Sequence, residues 1–218
     1  MCSNDNYLVT GSQDTKVKFW DQRANQCVAT FREHTGTVNS VRLSPDGKWV
    51  ASGSADGTLK IWDVTANKVL ANFTQINNAA VSCVEYNPQS KALANGSADR
   101  TVKYWDLEAF QNINVTKPDV STISHLFYSH NNPDHLYSAS ADNIKLWNIE
   151  TNVLLDCLSV PPKTVADFKV SSQFILLSSI HDNTLSVYYT SLEKLNFDES
   201  IDTVPTSSNL PEPVVSRP

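Results

Sequence analysis

Hydrophobic and polar positions alternate along most of the chain in short runs that turn residues separate. One run covers residues 38–43 and ends at the turn Ser44-Pro45-Asp46-Gly47. A second run begins at Trp49, and Asp56-Gly57 supplies a hairpin turn before a third run that closes at Trp62. Alternation with period two between turn signals is typical of β-strands, and no segment of the sequence keeps a helical period. The pattern therefore predicts an all-β fold.

The same pattern repeats along the chain with a period of about 42 residues. It ends each time at a tryptophan: Trp20, Trp62, Trp105 and Trp147, spaced 42, 43 and 42 apart. Small residues and an aspartate precede each one, the aspartates being Asp14, Asp56, Asp99 and Asp142. A weaker fifth cycle has Asp182, with Tyr188 where the tryptophan is expected. The predicted repeat units lie near 7–31, 36–73, 79–115, 121–158 and 163–195.

Both ends depart from the repeat. The first cycle begins near Tyr7, so its innermost strand is expected to be missing. After residue 195 the composition shifts to Ser, Pro, Asp and Glu. A segment of that kind has little apolar surface to offset the entropy of ordering, so residues 196–218 are predicted to be a disordered tail. Residues 1–195 are predicted to form one continuous array, because stacked repeats share their cores.

A repeat of 40 to 45 residues that ends in Trp-Asp resembles the WD40 repeat. The dipeptide stands here at Trp20-Asp21, Trp62-Asp63 and Trp105-Asp106, and as Trp147-Asn148 in the fourth copy. The resemblance implies a β-propeller in which each repeat is one four-stranded blade. The chain holds about four and a half such blades, so an incomplete array is expected.

The resemblance also implies a buried hydrogen-bond network within a blade, for which the sequence offers one full set: His34, Ser52, Asp56 and Trp62. A His, Ser and Asp trio also suggests a hydrolase with Ser52 as nucleophile. The aspartates Asp14, Asp99, Asp142 and Asp182, however, recur without a matching histidine. A recurring aspartate favours architecture over catalysis, and the chain is expected not to be an enzyme.

Two further patterns suggest contacts with partners. Lysines stand two residues before each tryptophan, at Lys18, Lys60, Lys103 and Lys145. They form either an arc of positive charge for an acidic partner such as tubulin or ordinary solvated and snorkelling positions. Trp20-Asp21-Gln22-Arg23 has the WDxR form found in WD40 substrate receptors of cullin–RING ubiquitin ligases. By that resemblance Arg23 would contact the ligase adaptor; otherwise it is an ordinary blade-edge arginine.

Composition narrows the possible functions. The formal net charge of −6 gives no electrostatic reason to expect nucleic acid or an anionic membrane as a partner. No apolar run is long enough to span a bilayer, and the first residues do not resemble a signal peptide. The four cysteines show no paired spacing, which is typical of a reducing, cytoplasmic compartment. No phosphate-binding, metal-binding or nucleophile motif is present, so no cofactor and no metal are expected.

Particular segments resemble the WD40 regulatory subunit of katanin, the microtubule-severing ATPase. They are residues 9–21, residues 43–52, the stretch Gly96 to Gln111 with its Trp-Asp-Leu-Glu-Ala-Phe-Gln ending, and the weak last cycle. The resemblance implies a non-catalytic scaffold that directs the ATPase subunit to centrosomes, spindle poles or microtubules. It further implies that the chain corresponds to the later part of such a propeller, without the helical domain that binds the ATPase. The alternatives are a cullin–RING substrate receptor and a scaffold of another complex.

Overall fold

The computed structural model describes residues 2–3, 6–74, 78–129, 132–159, 165–170, 174–181, 184–191 and 212–214. Over these residues the regular structure consists of five antiparallel four-stranded sheets. None of the described residues lies in an α-helix. The predicted all-β fold with a partial array of blades is therefore confirmed.

Each sheet is built from four strands that follow one another along the chain. The first sheet contains β1 (Cys2–Ser3), β2 (Tyr7–Gly11), β3 (Val17–Asp21) and β4 (Gln26–Phe31). The second contains β5 (Val38–Leu43), β6 (Trp49–Ser54), β7 (Thr58–Asp63) and β8 (Lys68–Thr74). The third contains β9 (Val81–Tyr86), β10 (Ala92–Ser97), β11 (Val102–Asp106) and β12 (Gln111–Val115). The fourth contains β13 (His125–Tyr128), β14 (His135–Ala139), β15 (Asn143–Asn148) and β16 (Val153–Ser159). The fifth contains β17 (Val165–Val170), β18 (Phe174–His181), β19 (Thr184–Ser191) and β20 (Glu212–Val214).

The first strands of successive sheets contact one another and so form the inner edge of the array. Strand β1 contacts β5, β5 contacts β9, β9 contacts β13, and β13 contacts β17. The fourth strands lie at the outer edge. Apolar clusters fill the space between neighbouring sheets, which explains why the second and third strands of the second and third sheets are buried on both faces.

Successive residues of one central strand point into different cores. Val50 packs in the core between the first and second sheets, whereas Ala51 packs in the core between the second and third. Leu136 and Tyr137 divide in the same way between the cores on the two sides of the fourth sheet. This follows from the two-residue period of a strand. The repeat therefore specifies stacking as well as strand formation.

Two aromatic pairs join neighbouring sheets. The rings of Phe31 and Trp62 are stacked with centroids 4.8 Å apart, and those of Phe73 and Trp105 are 4.3 Å apart. In both pairs a phenylalanine of the outer strand contacts the tryptophan of the next sheet. These contacts bury Trp62 and Trp105 almost completely.

The structure differs from the sequence-based prediction at the first sheet. The first sheet does not lack its innermost strand, because Cys2 and Ser3 pair with Val9 and Leu8 of β2. A strand of two residues is too short to show any alternation in the sequence. In the segment predicted to be disordered, residues 196–218, only Glu212–Val214 are described, and they pair with the outer edge of β19.

Among the described residues, no helix has the length and apolar character needed to cross a bilayer.

Candidate functional site

The structure brings His34, Ser52, Asp56 and Trp62 together in the second sheet. Nε1 of Trp62 donates to Oγ of Ser52 over 2.7 Å, and that oxygen lies 2.7 Å from Nε2 of His34. Nδ1 of His34 lies 2.9 Å from Oδ2 of Asp56. The four side chains thus form one continuous chain of hydrogen bonds.

Three different elements position these groups. Ser52 and Trp62 lie on the paired strands β6 and β7, where Trp62 is opposite Val50, two residues before Ser52, while Asp56 lies in the turn that joins the strands. His34 lies in the connection from the first sheet, so the network ties this connection to the second sheet. Thr58, which the sequence reasoning missed, completes it by donating its hydroxyl to Oδ1 of Asp56 over 2.6 Å.

The surroundings hold His34 neutral and Asp56 ionised. Burial lowers the pKa of His34 below its ordinary value, although the neighbouring Asp56 opposes the shift. Burial also disfavours the charge on Asp56, but hydrogen bonds from Thr58, Thr35 and His34 outweigh it and hold that pKa well below its usual range. A neutral His34 that donates from Nδ1 can accept the Ser52 hydroxyl at Nε2, which satisfies all the groups.

The order of Ser, His and Asp matches that of a hydrolase, but the serine is unsuited to the chemistry. Ser52 has no solvent exposure, and its oxygen already accepts the hydrogen bond from Trp62. A nucleophile must reach a substrate carbonyl, and a buried hydroxyl between two side chains does not. The arrangement stabilises the sheet and the connection to it.

Each of the other three tryptophans that close a repeat donates to a polar side chain on the neighbouring strand. Trp20 donates to Thr10 over 3.1 Å, Trp105 to Asn95 over 2.6 Å, and Trp147 to Ser138 over 2.9 Å. Thr10, Ser52 and Asn95 stand ten residues before their tryptophans and Ser138 stands nine before. This recurring acceptor becomes visible in the sequence when the repeats are aligned on their tryptophans. The histidines and aspartates alone do not reveal it.

The turn aspartates fall into two groups. Asp14 and Asp99, like Asp56, accept the backbone N–H of the residue two positions later, which shapes the turn. The hydrogen bond from the Lys16 side chain lowers the pKa of Asp14 to about 2. Asp142 is exposed in a turn one residue shorter, which Ser140 and Asn143 close. Asp182 lies outside the described residues.

In the fourth sheet a different residue supplies the buried carboxylate. Asp119 lies in the connection that enters this sheet, four residues before Ile123, as His34 lies four residues before Val38. Its Oδ1 lies 2.9 Å from Nζ of Lys145 and accepts a hydrogen bond of 3.1 Å from the Asn143 amide. The shorter turn of the fourth sheet places no aspartate beside Lys145. Asp119 supplies this carboxylate from the connection that enters the sheet.

The four repeated lysines do not form an exposed arc of positive charge. Lys60 and Lys103 are buried, and Lys103 pairs with Asp99 over 2.6 Å. Lys145 pairs with Asp119, and Lys18 lies with Nζ 5.5 Å from the ring centroid of Trp20. The lysine charges of the third and fourth sheets are therefore largely neutralised within the protein.

Arg23 lies in the turn between β3 and β4, with 66% of its side chain exposed. Its backbone N–H donates to Oδ1 of Asp21, and its Nε lies 3.7 Å from the same oxygen. Asp63, Asp106 and Asn148 accept backbone N–H groups of their own turns in the same manner. The second residue of the Trp-Asp dipeptide is thus a turn-forming residue, and Arg23 projects from the turn.

Within the described part of the chain, no three or more His, Cys, Asp and Glu side chains are grouped so that they could hold a metal ion.

The stacked four-stranded sheets, of which the first four each have a tryptophan bonded to the neighbouring strand, define a repeat protein of the β-propeller type. A family model for the WD domain, G-beta repeat (WD40), matches residues 1–21, 25–63 and 68–106. Over these residues the chain therefore consists of WD40 repeats. Repeats of this class typically serve as non-catalytic scaffolds that bind other proteins.

Relatives with curated descriptions match over about one repeat. The guanine nucleotide-binding protein subunit beta of Arabidopsis thaliana is 46% identical over 46 residues, which is 21% of this chain and 12% of that protein. The nuclear distribution protein PAC1 of Arthroderma otae is 42% identical over 48 residues, 22% of this chain and 10% of that protein. The lissencephaly-1 homolog of Dictyostelium discoideum is 41% identical over 44 residues, 20% and 10% of the two chains. The chain thus spans about a tenth of the length of these relatives.

Proposed function

We propose that this chain is a non-catalytic WD40 scaffold of the katanin regulatory type. Its role would be to direct the severing ATPase subunit to centrosomes, spindle poles or microtubules in the cytoplasm. It would need no cofactor, and its partners would be that ATPase complex and tubulin. The support comes from the segment with the most specific resemblance, residues 105–111, and from the turn that it forms.

That turn contains a residue which its backbone conformation disfavours. Phe110 has a φ of +52°. The corresponding turns of the other sheets have Asn25, Asn67 and Asn152 at φ between 50° and 55°. Asparagine tolerates this left-handed region, whereas a bulky side chain there is uncommon. Phe110 is therefore not required by the repeat, and it marks a feature particular to this protein.

The same turn divides its side chains between packing and exposure. Leu107 is buried in the core between the second and third sheets, and Phe110 packs against the Trp49 ring with centroids 6.2 Å apart. Glu108 projects outward and pairs with Lys91 over 3.0 Å, both side chains being 68% exposed. The segment that resembles katanin thus presents a rigidly held outer surface.

Affinity capture with the full tagged chain tests the proposal. We expect recovery of the katanin catalytic subunit and of tubulin, both quantified against a matched capture with an unrelated WD40 protein. Recovery of neither would rule out the katanin assignment and leave the general scaffold role.

A cullin–RING substrate receptor is the competing proposal, and the exposure of the Arg23 side chain favours it. Under that proposal the same capture recovers a ligase adaptor with the wild-type chain and loses it with Arg23→Ala. The katanin proposal instead predicts that Arg23→Ala leaves the recovered proteins unchanged. Because Arg23 lies at the surface of a turn, the substitution is not expected to affect folding.

A further inference from the structure

The connection from the third to the fourth sheet is held in place at several points. The Asp119 N–H donates to the carbonyl of Arg100 over 2.7 Å, which joins the connection to the hairpin turn of the third sheet. The Ala141 N–H donates to Oγ of Ser121 over 3.1 Å, which joins it to the turn of the fourth sheet. The buried Asp119 carboxylate anchors its centre through Lys145 and Asn143. The conformation of this connection is therefore well determined.

Val120 projects from this anchored connection into solvent. It is 73% exposed, the largest value among the exposed large hydrophobic side chains of the described chain; the next largest is 53%, for Val28. Its own N–H donates to Oδ1 of Asp119, so the backbone that presents it is fixed. An apolar side chain on a rigid support loses little entropy when a partner covers it.

Two exposed cationic residues lie near Val120, one across a backbone hydrogen bond and one in the same connection. Arg100 is exposed in the hairpin turn that bonds to Asp119, and Lys117 is exposed three residues before Val120. Neither forms an ion pair with any residue that the structure describes, whereas the nearby Lys103 and Lys145 are paired with Asp99 and Asp119. The unpaired positive charge around Val120 is thus that of Arg100 and Lys117.

The backbone of Arg100 has the conformation of the repeat's hairpin turn. Arg100 has a φ of +70°, at the turn position where the first sheet has Thr15 with a φ of +68° and the second has Gly57 with a φ of +79°. This conformation costs a residue with a Cβ on the order of 1 kcal/mol. The turn therefore fixes the direction in which the backbone presents the Arg100 side chain.

We propose that an acidic protein segment with an apolar side chain binds to a surface formed by Val120, Arg100 and Lys117. We name it the Val120 surface. Val120 contacts the apolar group, and the two cations pair with carboxylates on either side of it. Exposed Asp142, in the adjoining turn of the fourth sheet, limits how closely further acidic residues approach. The inference extends the proposed function, since tubulin would be the source of the acidic segment.

Two probes test the Val120 surface with the full chain. The first is microtubules polymerised from purified tubulin, in a co-sedimentation assay. The second is a fluorescein-labelled 12-residue peptide of glutamates with one central leucine, followed by anisotropy, with a lysine-based peptide of the same length as its control. An ionic strength of 0.15 M suits both, because the Debye length of about 8 Å then screens the net charge of −6 but not contacts between neighbouring charges.

The variants separate charge from apolar contact. We expect the double variant Arg100→Glu/Lys117→Glu to weaken binding of both acidic probes about tenfold or more, and Val120→Ser to weaken it about fivefold. Asp142→Asn should strengthen binding of both acidic probes. The matched controls Lys68→Glu and Val28→Ser alter exposed residues on the outer strands of other sheets and should leave binding within about twofold of wild type.

The outcomes distinguish the inference from the proposed function. If the wild-type chain binds the glutamate peptide but not microtubules, the surface is supported and tubulin is not its source. If it binds microtubules and the surface variants bind equally well, the proposed function stands and the inference is wrong. If the wild-type chain does not bind the acidic peptide, or binds the lysine peptide as tightly, the inference is also wrong. Unchanged thermal unfolding of each variant ensures that lost binding is not lost folding.

Discussion

At the scale of single residues, the buried network of the second sheet leaves none of its donors without an acceptor. Trp62 donates a hydrogen bond to Ser52, Ser52 donates to Nε2 of His34, and Nδ1 of His34 donates to Asp56. Each donor of this network therefore has one acceptor. The fourth sheet has a shorter version, in which Trp147 donates to Ser138. The two serines are both fully buried, but they satisfy different numbers of neighbours.

This difference predicts that two matched substitutions lower the free energy of unfolding by unequal amounts. Ser52→Ala leaves both the Trp62 N–H and the His34 Nε2 without a partner, and we expect a loss of about 2–5 kcal/mol in the free energy of unfolding. Ser138→Ala leaves the Trp147 N–H, with an expected loss of about 1–3 kcal/mol. Urea unfolding of both variants measures the difference. Equal losses would show that His34 does not depend on the serine hydroxyl.

The pKa of His34 predicts how stability depends on pH. Burial lowers it in the folded state, so below the ordinary value of 6.5 the unfolded chain binds a proton that the folded chain does not. The contribution of His34 to the free energy of unfolding is therefore fully present above about pH 6.5 and decreases as the pH falls below it. His34→Gln should remove this part of the slope between pH 7.5 and 5.5 in urea unfolding. An identical slope in the variant would contradict it.

At the scale of strands and turns, each of the first four sheets has the same irregularity. A β-bulge places one extra residue in the outer strand opposite the tryptophan, eight residues after it. These residues are Val28, Leu70, Ile113 and Leu155. A bulge increases twist and makes an edge strand a poor template for pairing with another chain. The outer edges are thereby protected from edge-to-edge association.

The conformation of the turn before β12 predicts which of two Phe110 variants is the more stable. Phe110→Ala removes the contact with Trp49 and retains a side chain poorly suited to φ +52°, whereas Phe110→Asn removes the contact but suits the backbone. Both should destabilise, with Asn more stable than Ala by about 0.5–1 kcal/mol. As a control, Asn67→Ala at the corresponding turn should cost about 1 kcal/mol. Thermal unfolding gives the order, and an alanine variant as stable as the asparagine variant would contradict it.

At the scale of the whole molecule, the two end sheets each have a face that no described sheet covers. Trp20 is only half-buried, whereas Trp62, Trp105 and Trp147 are 1%, 8% and 6% exposed. Trp62 and Trp105 each pack against a phenylalanine of the preceding sheet, and no described sheet precedes that of Trp20. On the fifth sheet, Ile175 and Leu177 pack inward while Phe174 and Leu176 are 40% and 47% exposed. Apolar faces of this kind favour association.

We therefore expect the purified polypeptide to self-associate as its concentration rises. The double variant Phe174→Ser/Leu176→Ser should weaken this association, and Val28→Ser, on a protected outer edge, should not. Sedimentation velocity over a range of concentrations measures the effect. A wild-type chain that stays monomeric at every concentration would show that these faces are covered within one molecule.

The regular spacing of the tryptophans and turns was sufficient to predict most strands and the repeat, and the resemblance to WD40 repeats implied the four members of the second-sheet network. Local rules act there: alternation sets which side chains are buried, and Asp, Gly and Asn set the turns. The same rules did not reveal β1, since two residues show no alternation. They also did not reveal that Lys60 and Lys103 are buried, because a lysine two residues before a tryptophan looks solvated until its carboxylate neighbour is placed.

What depended on three-dimensional packing was the set of partners contributed by other elements. Asp119 replaces a turn carboxylate in the fourth sheet because a one-residue shorter hairpin leaves Lys145 and Asn143 to be satisfied from the incoming connection. The same anchoring exposes Val120 beside Arg100, a residue 20 positions earlier in the chain. Periodicity along the chain specifies the hydrogen bonds and the buried positions within a repeat. Ion pairs and exposed surfaces instead form between segments that only the fold brings together.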